Sequence, residues 1–182
     1  MQVTMIIALN RFNIYLLSVV ACVLVSGCHL AGHRKDKDMA TLRVHVEVVP
    51  ESMDFCTTVS VSRTAPMKVT VDKSPILTEA NVARARVVDV PGGFDLQIQL
   101  DRQGTWLLES YTMTNLRKHL AIFSTFVGDS GKQSRWLAAP IITRRIANGL
   151  LSFTPDATRE EAVAIAEGLQ NVAKENEEKS KW

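Results

Sequence analysis

From residue 42 onward, apolar and polar positions alternate with a period of two. Leu42, Val44, Val46 and Val48 interleave with Arg43, His45 and Glu47, the pattern of a strand with one face in a core and the other in water. His45 is therefore expected on the polar face. Residues 57–62 alternate again through Val59 and Val61, and Met67, Val69 and Val71 do so a third time. Ser74-Pro75 breaks the run, Thr78 with Glu79 starts a short helix through Ala85, and a strand is expected over 86–90. Pro91-Gly92-Gly93 then supplies a turn into Phe94, Leu96, Ile98 and Leu100, which alternate with Asp95, Gln97 and Gln99. The pair reads as a hairpin with one wet face.

A middle helix is predicted over 105–115, with Trp106, Leu107, Leu108 and Tyr111 as its apolar patch. The short apolar run 120–127 reads as a fully buried strand. Gly128-Asp129-Ser130-Gly131 opens a polar loop reaching Ser134, a candidate contact surface. A strand over 136–142 follows, in which Pro140 implies an edge or a bulge because proline cannot donate to a ladder. Asn148-Gly149 leads toward the final helix. There Thr158 and Glu161 have the spacing of a capping box, and Ala162, Ile165, Ala166, Leu169, Val172 and Ala173 form one apolar stripe. Glu160, Glu161 and Glu167 read as helix-terminus charge and a solvated face rather than catalytic carboxylates. Residues 175–182 form a charged tail.

At 182 residues, with 22% charged and 46% apolar side chains, the chain holds one folded domain and a leader. Residues 1–27 read as an export signal: Arg11 precedes an apolar run over 14–25 that ends in Val25-Ser26-Gly27-Cys28. This ending resembles the bacterial lipobox, whose cysteine is diacylated and becomes the new N-terminus, so Cys28 is the expected lipidation site and a lipid anchor the expected membrane attachment. An uncleaved N-terminal anchor is the alternative. Removing a leader whose only charge is Arg11 leaves 20 basic against 19 acidic residues, too balanced for nucleic-acid binding. Residues 28–41 read as a flexible tether, and His29 and His33 within it make a poor metal site. Cys56 reads as a small buried apolar side chain. No cofactor or metal is expected, since neither a nucleotide loop nor a metal-ligand spacing is present.

Thr112, Asn115, Leu120-Ala121-Ile122, Ala139-Pro140, Ile146, Gly149, Glu160-Glu161-Ala162 and Leu169 together resemble the head subdomain of the first periplasmic domain of the protein-export subunit SecD, over 67–172. The chain departs from that pattern at Arg117, where glycine is usual, at Thr125, where aspartate is common, and at Phe153, where glycine is expected. The resemblance implies an α+β, ferredoxin-like two-layer sandwich over 42–174, an antiparallel or mixed sheet with two main helices on one face. It also implies a non-catalytic surface for translocating polypeptide or a Sec-type export component.

Binding candidates are Gly128, Asp129, Ser130, Gly131, Lys132 and Trp136, the last as an anchor or as plain core. A structural or adaptor lipoprotein of the envelope is the second reading. A hydrolase or metal enzyme is the third, and no nucleophile elbow or metal spacing supports it.

Overall fold

The computed structural model describes residues 38–49, 55–128 and 131–179. The leader, Cys28, His29 and His33 lie outside the described residues, as do Asp129 and Ser130. In chain order the elements are β1 (Thr41–Val46), β2 (Cys56–Val61), β3 (Met67–Asp72), β4 (Leu77–Thr78), β5 (Val82–Val90), β6 (Gly93–Leu100), α1 (Arg102–Thr114), β7 (Leu120–Gly128), β8 (Gly131–Ala138), β9 (Leu150–Phe153) and α2 (Arg159–Lys179). The α+β class is as expected, and every strand pair is antiparallel. One sheet has the order β4-β1-β7-β8 and a second the order β5-β6-β9, with β2-β3 as a separate hairpin.

The main core takes the inner face of each sheet together with both helices. Leu42 and Val44 of β1, Leu96 and Ile98 of β6, Leu108 of α1 and Ile165 and Leu169 of α2 are all fully buried within it. Each such side chain stabilises the fold by about 1.5–3 kcal/mol relative to exposure, which explains why the helices lie on sheet. The capping box of α2 is present: the Thr158 N–H donates to Glu161 Oε2 (2.8 Å) and the Glu161 N–H to Thr158 Oγ1 (3.2 Å). Helix α2 continues to Lys179, so 175–179 is helical rather than a loose tail, with a Lys179–Glu175 pair one turn apart. Ala40, assigned to the tether by composition, is buried in the core. A Cβ on Gly168 of α2 would stand 2.7 Å from the Ala40 backbone nitrogen, so only glycine lets the chain pass this close.

His45 is the largest departure from the period-two rule. It is 7% exposed, because the β2-β3 hairpin covers the outer face of β1 and β7 with a second cluster built on Val61, Val69, Val71 and Ala121. Strand β1 is thus buried on both faces from Val44 to Val46, while Arg43 stays exposed. The helix expected from Thr78 to Ala85 shrinks to one 3-10 turn, Glu79–Asn81, before β5 starts at Val82. Asn81 ends it, accepting the Thr78 N–H on its side chain and the Asp101 N–H on its carbonyl.

Helix α1 starts three residues earlier than its apolar pattern indicates, because the Asp101 carboxylate accepts the Gly104 N–H at 2.6 Å. Its inward side is Leu108 and Thr112, while Trp106 faces outward at 66% exposure and Tyr111 is exposed as well. Strand β8 is an edge, as Pro140 implied, and the bulge falls at Leu137. Pro140 itself lies past the strand end.

Arg117, which occupies the position where glycine is usual, has φ +68. A left-handed conformation costs a side-chain-bearing residue about 1–2 kcal/mol. Arg117→Gly is therefore expected to raise stability by about 1 kcal/mol in urea unfolding.

Candidate functional site

The candidate contact loop is not a loop. On either side of 129 and 130, strands β7 and β8 pair up to Gly128 opposite Gly131, with Lys132 opposite Val127 and Ser134 opposite Thr125. Thr125, where aspartate is common, holds the Ser134 hydroxyl at 2.8 Å. Gly128, Gly131 and Lys132 therefore mark the end of a hairpin. Trp136 is packed rather than presented: its ring meets those of His45 and Phe123 edge-on, each at 5.3 Å. It packs, half-buried, against the second core cluster.

Beneath it, the His45 Nδ1–H donates to the Asp72 carbonyl at 2.7 Å. Burial outweighs that bond and holds the imidazole below 6.5. The fold then binds fewer protons than the unfolded chain, so stability is greatest above pH 6.5 and declines as pH falls toward the lowered folded value. In His45→Asn this decline is expected to vanish from urea titrations across the same window. Nearby, burial pushes the Glu47 carboxyl up, but the His119 ring and backbone N–H groups, bonded to Oε2 at 2.7 and 2.9 Å, prevail and hold it below its ordinary value. Among the described residues no group of His, Cys, Asp or Glu is gathered in metal-binding number.

Two clefts run end to end beside β9, a strand the sequence pattern did not reveal. The first, about 520 Å³, lies between β9 and the strap 140–148. The second, about 510 Å³, lies between 153–156 and 137–139, with the β2-β3 turn at its end. Pro140 lines both. Strand β9 pairs with β6 on one side only and ends its sheet. Phe153, where glycine was expected, is buried opposite Leu96 and fills the core at this point.

Several of the residues that carry the resemblance build this site. Thr112 is fully buried. Its hydroxyl donates to the Leu108 carbonyl (2.7 Å) and accepts the Ile146 N–H (3.0 Å), so it fastens the strap to α1. Asn115 closes α1 by donating to the Tyr111 carbonyl. Pro140 turns the chain from β8 into the strap while its carbonyl accepts the Leu120 N–H at 2.9 Å. Gly149, with φ +66, ends the strap against Thr105. The clefts join residues from 61–67, 137–148 and 150–156, and no local sequence signal could have assembled them.

Antiparallel sheets with two helices and an open strand edge beside two clefts define an α+β domain. Residues 56–173 match the family described as the SecDF P1 head subdomain, and the chain belongs to that family.

Three solved structures are similar. SecDF in a super-membrane-facing form is 20% identical over 74% of this chain and 19% of that one, with a TM-score of 0.51. The membrane component SecDF "that enhances protein export" is 21% identical over 74% of this chain and 63% of that one, at 0.49. SecDF from Thermus thermophilus, described as a translocon-associated membrane protein, is 16% identical over 90% of this chain and 34% of that one, at 0.39. This chain thus spans less than two thirds of each. No curated protein matches. Among the described residues no helix is long and apolar enough to cross a membrane.

Proposed function

We propose that this protein is a non-catalytic, export-related head domain on the extracytoplasmic side of the envelope, held to the membrane through Cys28, that binds extended polypeptide or an export component. The observation that carries the reading is the unpaired edge of β9 along the paired clefts, in a chain of the SecDF head family. An extended chain added there would take its affinity from main-chain hydrogen bonds and seat alternate side chains in the clefts. Strand addition suits this task because it reads backbone, which every translocating chain shares, whatever its sequence. The hairpin end at Gly128, Asp129, Ser130, Gly131 and Lys132 is a second contact region under the same reading.

A photo-crosslinker placed at Ser152 of β9, and in a parallel strain at position 130, tests it in intact cells. A ladder of many secreted chains from Ser152 is the expected result. One discrete adduct favours the adaptor reading, and no adduct from either position overturns both. For the anchor, mass spectrometry of membrane-extracted protein is expected to find Cys28 as a diacylated N-terminus; an unmodified chain retaining Met1 removes that part.

A further inference from the structure

Helix α1 presents an outward stripe that the fold does not use. Arg102, Trp106, Glu109 and Met113 stand at i, i+4, i+7 and i+11 and so share one face. Trp106 is 66% and Met113 56% exposed. The strap runs antiparallel beside this helix: Gly149 abuts Thr105, the Ile146 N–H bonds Thr112, and Ile142 exchanges backbone hydrogen bonds with Arg117 and Lys118. Arg145 reaches from the strap to Glu109 and takes up its carboxylate in the middle of the stripe. At the helix exit, Leu116 and, across the bridge to His119, Ile141 add exposed apolar surface at 53% and 55%.

Charge on this surface is predominantly positive: the Asp101 carboxylate beside Arg102 is engaged in capping Gly104. Arg145 neutralises Glu109, and among the described residues no carboxylate pairs with Arg102, Arg117 or Arg144. An aromatic ring and thin-spread aliphatic side chains, each interleaved with an arginine, form a layer that matches the interface of an anionic bilayer. The apolar tips enter the headgroup–acyl boundary while the guanidinium groups meet lipid phosphates. We infer that the α1–strap face docks on anionic membrane, laying the domain on the lipid surface through Trp106, Met113, Leu116 and Ile141. The inference needs no link to export.

The test uses the full chain reconstituted in vesicles whose phosphatidylglycerol or phosphatidylcholine carries brominated acyl chains. Trp106 emission, taken as the difference between wild type and Trp106→Phe, is expected to be quenched in phosphatidylglycerol, spared in phosphatidylcholine, and released by high salt. Arg102→Ser and Arg144→Ser are each expected to weaken docking about five-fold, with circular dichroism unchanged. Quenching that is absent, equal in both lipids, insensitive to the arginine variants, or unaltered in Trp106→Phe overturns the inference. So does a lipid-free complex with an export component or a second copy that already buries Trp106.

Discussion

Gly149→Ala is expected to cost about 3 kcal/mol of stability, lowering the urea midpoint with little change in slope. Two independent terms add. The backbone at Gly149 sits at φ +66, where a Cβ costs about 1–2 kcal/mol. That Cβ would also fall 2.0 Å from Thr105 Oγ1, which cannot be accommodated without moving α1 or the strap. Overpacking of this kind costs about 1–3 kcal/mol. Thr105→Ala in the same background removes the two terminal atoms of that contact and leaves Cβ at 3.0 Å, so it is expected to restore the steric share and not the backbone share. A loss well under about 1 kcal/mol in the single variant would show that the strap yields freely. The Gly149 carbonyl also receives the Leu100 N–H, so the displacement reaches β6 and, through it, the β9 edge.

The second large effect lies at Glu161. Its carboxylate pairs with Arg135 of β8, and the two side chains are 15% and 17% exposed. The guanidinium lies 5.1 Å above the Phe126 ring, and Arg135 Nε is buried with no hydrogen-bond partner. Glu161 was expected to be a solvated helix-terminus acid. It is that in part, since it caps Thr158, but the edge of the sheet closes over it. Glu161→Ala removes the only ion-pair partner described for Arg135 and half of the capping box together. The expected loss is about 4 kcal/mol in urea unfolding. Arg135→Met added to it is expected to recover most of the loss, because an apolar side chain of similar size needs no counter-charge. If the double variant were no more stable than the single, the cost would belong to the cap.

Strong local signals made much of the fold legible. The β5-β6 hairpin, the β7 strand and capped α2 each follow from periodicity plus a turn or a cap, although β5 starts four residues early at Val82 and Val127 of the run expected to be fully buried is exposed. Elsewhere the pattern carried too little information. Alternation along β1 marks one dry face, and nothing local reveals that a second sheet dries the other, so His45 was misplaced. Trp106 and Tyr111 count as apolar in any periodicity, yet α1 turns on Leu108 and Thr112 because Asp101 sets its phase. Four residues are too few for β9 to announce itself. The hairpin end was mistaken for a loop because Gly, Asp and Ser are turn residues, though only 129 and 130 separate the strands. The clefts were illegible for a different reason: their walls meet only once the chain is folded.

Where the chain enters the domain also fixes a length. Asp38 gives its carbonyl to Asn171 midway along α2, and Ala40 is clamped against Gly168, so the domain holds the chain from there on. Nine residues lie between Cys28 and Asp38, so the ten steps between them can reach at most ~35 Å. A domain moored at Cys28 would be confined to a shell about one protein diameter deep above the lipid, sampling what emerges beside it and little that has diffused away.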